Sequence, residues 1–180
     1  MLVSKNDCLL LVVDLQDKLL SKIECKFNLL RNTDILIKSF KTLNLPIVVT
    51  EQYPKGLGSS HSILQSEISR EDYIQKTSFS CIKEKVVLNE INKKKKTQVI
   101  ICGIETHICI LQTAADLLIE KYNPFVVSDA VGSRNTVDHD RAISRLAKNG
   151  VNIVTTEMIV FELLENSKND HFKKITELIK

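Results

Sequence analysis

Cys109 is the residue whose surroundings best suit a nucleophile. It follows the apolar run Val99-Ile100-Ile101-Cys102, then Gly103, then Thr106. That order predicts a strand covered on both faces, a break at the glycine, and a helix capped by Thr106 with Cys109 about three residues inside it. At a helix start the dipole and the unpaired N–H groups favour the thiolate, the form that attacks. A second candidate is Asp14, which ends the continuous apolar run Cys8 to Val13. Such a run also reads as a strand buried on both faces, with the acid at its carboxyl end.

These two residues meet only if particular elements hold them. After Asp14 the apolar spacing of Leu29, Leu36, Phe40 and Leu43 predicts a helix over 28–43, ended near Asn44 by Pro46. Strands are expected at Ile47–Thr50, Tyr73–Lys76, Val99–Cys102, Phe125–Ser128 and Val151–Val154. Helices are expected from Lys85 to Ile91, from Thr106 to about Lys121, from Asn135 or Thr136 to Gly150, and from Thr155 or Thr156 to Leu164. Residues 57–67 read as weakly helical, Ala130–Arg134 as a loop, and 166–180 as one more helix. Strands alternating with helices signal βαβ units and a parallel sheet. In a doubly wound sheet ordered 3-2-1-4-5-6, the first and fourth strands are neighbours, and a crevice opens at their carboxyl ends. That order would put Asp14 and Cys109 beside one crevice.

Bulk properties narrow the classes. A chain of 180 residues fits one domain, 1–180. Hydrophobic residues make up 43%, enough for a core, and the net charge of +3 is too small to argue for nucleic acid or an anionic membrane. With no tryptophan, a base-stacking surface is not expected either. The four-lysine run Lys93–Lys96 reads as a solvated turn. Five cysteines with no C-x-x-C pair argue for a reducing, cytoplasmic location rather than a disulfide framework. No stretch has the length of a signal peptide's apolar region or a membrane span.

Taken together, VVDLQ (12–16), TEQYPKGLG (50–58), KTSFS (76–80) and CGIETHICILQTA (102–114) resemble the isochorismatase-like cysteine hydrolase superfamily. The similarity is strongest to its branch of isochorismatase-domain-containing proteins, to which SDAVGSR (128–134) and TTEMIVFELL (155–164) are also similar. The resemblance implies a three-layer αβα fold with a six-stranded parallel sheet, and an Asp–Lys–Cys triad that maps to Asp14, Lys76 and Cys109. In that scheme Asp14 carries the proton, Lys76 lowers the thiol pKa and keeps Asp14 ionised, and Cys109 forms a covalent thio-acyl intermediate. The resemblance also implies a cis peptide at Ile104–Glu105, whose turn, with the Cys109 amide, is the candidate oxyanion site. Gln16, Glu51, Gln52, Tyr53, Phe79 and His107 are candidate pocket residues, with an ordinary polar loop as the alternative for the first four.

The metal-binding branch of the superfamily carries an Asp-x-His pair after the second strand. Here Glu51-Gln52-Tyr53 stands there, and neither His61 nor His107 has a partner at ligand spacing. The expectation is therefore an enzyme without metal or cofactor, acting on a small molecule. The broad apolar face of the Cys109 helix points to a homo-oligomer. The alternative is an oligomeric interaction protein that keeps the fold with little or no turnover.

Overall fold

A computed structural model describes residues 1–180, and its architecture follows from where the apolar residues fall. Six parallel strands form one sheet in the order β3-β2-β1-β4-β5-β6. They are β1 (Cys8–Val13), β2 (Ile47–Gln52), β3 (Tyr73–Lys76), β4 (Gln98–Ile104), β5 (Asn123–Gly132) and β6 (Asn152–Val154). The longer helices are α2 (Lys26–Thr42), α5 (Lys85–Lys94), α6 (Leu111–Ile119), α7 (Thr136–Lys148), α8 (Thr156–Leu164) and α9 (Phe172–Ile179). Single turns α1 (Asp17–Leu20), α3 (Pro54–Leu57) and α4 (Ser62–Gln65) follow β1 and β2. No helix is long and apolar enough to cross a membrane.

Side chains alternate across a strand, so a wholly apolar strand feeds two cores. Leu10 and Val12 of β1 point to one side, with Ile100, Cys102 and Phe125, against Leu36, Ile37 and Phe40 of α2 and Ile159 and Leu163 of α8. Leu9, Leu11 and Val13 point to the other, with Val99, Ile101 and Val126, against Val87 and Ile91 of α5, Ala114 and Leu117 of α6, and Leu146 of α7. Burying such a side chain stabilises the fold by about 1.5–3 kcal/mol relative to exposure. The three-layer architecture and the strand order agree with the sequence reading.

Several boundaries differ. β4 does not break at Gly103 but continues to Ile104, and Gly103 pairs with Val13 of β1. At φ +118° a Cβ on Gly103 would lie 2.0 Å from the Val13 carbonyl oxygen, so only glycine lets the two backbones come this close. The register against β5 shifts between Ile101 and Gly103, an irregularity of the β-bulge kind. Ala130–Arg134, expected as a loop, is mostly strand, because β5 runs on to Gly132. Asn44 at φ +55° and Gly150 at φ +88° take the left-handed conformation that ends α2 and α7. Thr155 caps α8 by accepting from the Met158 amide.

Candidate active site

The carboxyl ends of β1, β2, β3 and β4 lie along one edge of the sheet, beside the point between β1 and β4 where its winding reverses, and the strand ends and the turn after β4 bring polar side chains together there. Asp14 follows β1 at once, with φ +53°, a left-handed conformation that aspartate tolerates better than most residues. Its side chain is fully buried. Lys76 is the last residue of β3, equally buried, and its Nζ lies 2.6 Å from Asp14 Oδ2. The same ammonium donates to Gln52 Oε1 (2.6 Å), to the carbonyls of Ser78 (3.1 Å) and Phe79 (3.2 Å), and approaches Cys109 Sγ at 3.8 Å. A buried charge is tolerable only when paired and hydrogen-bonded, and Lys76 is both.

Cys109 does not sit inside an α-helix capped by Thr106. Thr106–Ile110 is a π-helical turn, the extended residue Glu105 holds the cap position, and no side chain caps it. π turns often mark functional positions, because they shift side chains off the regular helical face. Cys109 is 7% exposed and belongs to the core cluster beneath α6. One turn further on, Thr113 is buried and accepts from the Cys81 amide. The peptide Ile104–Glu105 is cis.

The electrostatics correct the expectation of a thiolate lowered by the helix dipole and Lys76. Burial and the Asp14 charge push the Cys109 thiol up, and Lys76 only partly opposes them. Burial also pushes the Asp14 carboxyl up, against Lys76, Thr50 and Cys109. For Lys76, burial acts to lower the ammonium, but the Asp14 charge opposes it and the ammonium is held above its ordinary value. The upward shifts of the acid and the ammonium pull the pair in opposite directions. A 2.6 Å contact between two fully buried groups favours the ionised pair, which leaves a neutral thiol beside a carboxylate of enhanced basicity. Asp14 Oδ2 accepts no directed hydrogen bond from any other neighbour, so it has a lone pair free for the thiol proton.

The remaining candidates divide. Gln52 touches Lys76 directly. Gln16 instead ties the loop after β2 in place, donating to the carbonyls of Gln52 (3.0 Å) and Gly58 (2.6 Å) and accepting from the Gln52 amide (2.8 Å). Glu51 accepts from the amide and hydroxyl of Ser60. Both are therefore loop fasteners rather than pocket walls. Tyr53 and Phe79 are exposed, and Phe79 contributes its carbonyl to Lys76. His107 pairs through Nδ1 with Ser133 Oγ (2.9 Å). Glu105 is buried and bound by the Arg134 guanidinium and amide; burial alone would raise its carboxyl, but Arg134 holds it below the usual range.

Three residues that sequence reasoning did not single out also matter. Thr50 Oγ1 donates to Asp14 Oδ1 at 2.8 Å. Arg134 anchors the turn before Cys109 through Glu105. Glu84 accepts from the amides of Thr77 and Ser78 (2.8 Å each), fixing the loop whose carbonyls hold Lys76. Thr50 and Arg134 lie inside motifs already noted, but nothing in the sequence says where their side chains point. A cavity of about 510 Å³ lies beyond β5, lined among others by Cys25, Asn28, Ser133 and His139, and by none of Asp14, Lys76 or Cys109. A recess of about 290 Å³ between Tyr53 and Glu84 reaches Lys76.

The amides of Ser78 and Thr77 hold the Glu84 carboxyl down to about 2, from an ordinary value near 4.5. A depressed folded-state value contributes stability that is present above the unfolded value and is lost as pH falls through the folded one. Glu84→Gln should therefore be less stable than the parent at pH 7, and the gap should close between about pH 4.5 and 2 in acid titrations of denaturant midpoint. A gap independent of pH would contradict this role.

Comparison with known proteins fits this geometry. Residues 8–158 match the isochorismatase domain. Isochorismatase family protein 1A of Dictyostelium discoideum is 39% identical, the match covering 98% of this chain and 87% of that protein. The solved structure of the MAR1 ribonuclease from Caenorhabditis elegans superposes with a TM-score of 0.91 at 35% identity, covering 99% of this chain and 92% of that one. The YcaC gene product of Escherichia coli, described as an octameric hydrolase of unknown specificity, gives a TM-score of 0.90 at 25% identity, covering 99% and 95%. With the matched domain spanning most of its length and relatives this similar, the chain belongs to the isochorismatase family and has its hydrolase fold.

Proposed function

We propose that the protein is a metal-independent cysteine hydrolase that cleaves a C–N or similar bond of a small molecule through Asp14, Lys76 and Cys109. The observation that carries this reading is the convergence of the three side chains: Lys76 Nζ lies 2.6 Å from Asp14 Oδ2 and 3.8 Å from Cys109 Sγ. Asp14 takes the thiol proton as sulfur forms a bond to the substrate carbonyl carbon and the carbonyl electron pair moves onto oxygen. Backbone N–H groups of the turn through Ile104, Glu105 and Cys109 stabilise that oxygen. The tetrahedral species collapses, the C–N bond breaks, and Asp14 returns its proton to the leaving nitrogen. Water, deprotonated by Asp14, then attacks the thio-acyl carbon. The S–C bond breaks, the product acid leaves, and the proton goes back to sulfur. Lys76 keeps Asp14 ionised between steps and offsets negative charge on sulfur.

Independence from metal is supported by the commitments of the side chains at the carboxyl end of β2. Glu51 serves Ser60 and Gln52 serves Lys76, so neither is free as a ligand. The C. elegans neighbour is described as a ribonuclease, but Lys93–Lys96 offers no basic platform beside this site. The run forms the end of α5 and the turn into β4, at the opposite end of the sheet from Cys109, and Lys93 and Lys94 are paired with Glu90. A small-molecule substrate suits a nucleophile as buried as Cys109, whose residue is 7% exposed.

Self-association is part of this reading. α8 is apolar nearly all round, yet Met158 and Phe161 are 46% and 43% exposed, and Ile119 at the end of α6 is 73% exposed. A helix apolar on every side is normally covered, and the E. coli neighbour is described as octameric.

Two measurements test the proposal. Intact-mass analysis after exposure to a panel of small amides, esters and imines should find an acyl adduct on Cys109, absent in Cys109→Ala. Turnover unchanged in Cys109→Ala would overturn the mechanism. Light scattering should give a mass that is a multiple of the 20.4 kDa chain; a monomer alone would remove the oligomer.

A further inference from the structure

Asp14 has two carboxylate oxygens in different surroundings. Oδ2 faces Lys76 and has no other directed partner. Oδ1 is occupied by Thr50, which lies on β2 between β1 and β3, is fully buried, and donates to it at 2.8 Å. A threonine hydroxyl has a single proton, so a hydroxyl that donates to Asp14 can only accept from its other side. The group on that side is the thiol of Cys81, 3.8 Å from Thr50 Oγ1. Cys81 is also buried, and its backbone amide donates to Thr113 Oγ1 (2.9 Å) on α6, the helix that continues the Cys109 turn. The three groups form a directed chain from the Cys81 S–H through the Thr50 O–H to Asp14 Oδ1.

We propose that Thr50 is a positioning residue that keeps Asp14 ionised and reserves Oδ2 for the Cys109 proton, with the Cys81 thiol fixing the direction of the Thr50 hydroxyl. This rests on the reading of Cys109 as nucleophile and Asp14 as its base. Burial alone drives a carboxyl toward its neutral form, in which Asp14 could not accept a proton. A hydrogen bond donated to the ionised form opposes that drive without adding charge. Burial likewise pushes the Cys81 thiol up to about 11, so it remains a protonated donor near neutral pH. The titratable groups facing Asp14 are Lys76 at the end of β3, Cys109 on the π turn, and Cys81 on the turn after β3.

The test uses iodoacetamide and the full-length protein. Sulfur displaces iodide, forming an S–C bond as the C–I bond breaks, while the thiol proton passes to Asp14 Oδ2 and then to solvent. The rate at Cys109, read from the mass of its peptide, should fall at low pH as Asp14 takes up its own proton. Exposed Cys25 monitors the reagent in the same sample.

In Thr50→Val the acid limb of the Cys109 rate should move up by about one to two pH units, the worth of one hydrogen bond to a charged group. Thr50→Ser, which restores the hydroxyl, should keep the parent limb. Thr50→Ala takes the place of Thr50→Val if circular dichroism shows that the valine variant does not fold. An unchanged limb in the hydroxyl-free variant overturns the proposal. So does a Thr50→Ser shift as large as that of Thr50→Val, because packing would then be the cause. In Asp14→Asn the limb set by Asp14 should be lost, leaving a rate that climbs with pH only as the thiol itself ionises. A limb that keeps the parent's midpoint there, or no labelling of Cys109 in the parent, overturns the underlying base assignment, a failure distinguishable from that of Thr50 alone.

Discussion

The buried pair of Asp14 and Lys76 is the constraint on which the site depends. Two opposite charges, both without solvent exposure, face each other at 2.6 Å. Removing either partner would strand the other in the core, at a cost of about 3–5 kcal/mol. The pair also reaches across the sheet. β1 and β3 are not neighbours, and β2 runs between them, so the contact requires the order in which β2 separates the two. Thr50 and Gln52, both on β2, fill that gap with a bond to each member of the pair. The loop after β3 closes around the ammonium with two carbonyls, and Glu84 holds that loop.

Cys109 is placed by the other side of the same junction. β4 approaches β1 closely enough that only glycine fits at 103, and the chain then turns into a π-helical segment that brings the sulfur to 3.8 Å from Lys76. Glu105 and Arg134 clamp the start of this turn, and His107 leans on Ser133. In this setting sulfur is held neutral by burial and by the neighbouring carboxylate. On the proposed reading, reactivity comes from a proton acceptor beside the thiol rather than from a permanently ionised sulfur.

The layers and strand order were legible because wholly apolar strands and amphipathic helices leave strong periodic marks, as in Cys8–Val13 and in α2. That Asp14 and the Cys109 turn come to one junction followed from the winding rule plus two chemically able residues at strand ends. The extent of β4 and β5 was not legible. Gly103 normally punctuates a strand, and here it serves a close backbone approach instead. Nor were the roles of Gln16 and Glu51, whose residue types suit a pocket but whose geometry makes them loop fasteners. The ionisation of Cys109 was not legible either, because helix position is local, whereas burial and the charge of Asp14 arise from residues distant in the chain. Thr50, Glu84 and Arg134 were missed for the same reason, since side-chain direction is set by packing that sequence spacing does not encode.

The central claim is that Asp14 and Lys76 act as one buried unit. A double-mutant cycle on unfolding free energy tests it most directly, with Asp14→Asn, Lys76→Met and the double variant measured by urea denaturation at pH 7. Each single substitution should cost about 3–5 kcal/mol, and the double should cost less than their sum by about 2 kcal/mol or more, because it strands no charge. Additive losses would show that the two side chains do not depend on each other, and would contradict the account.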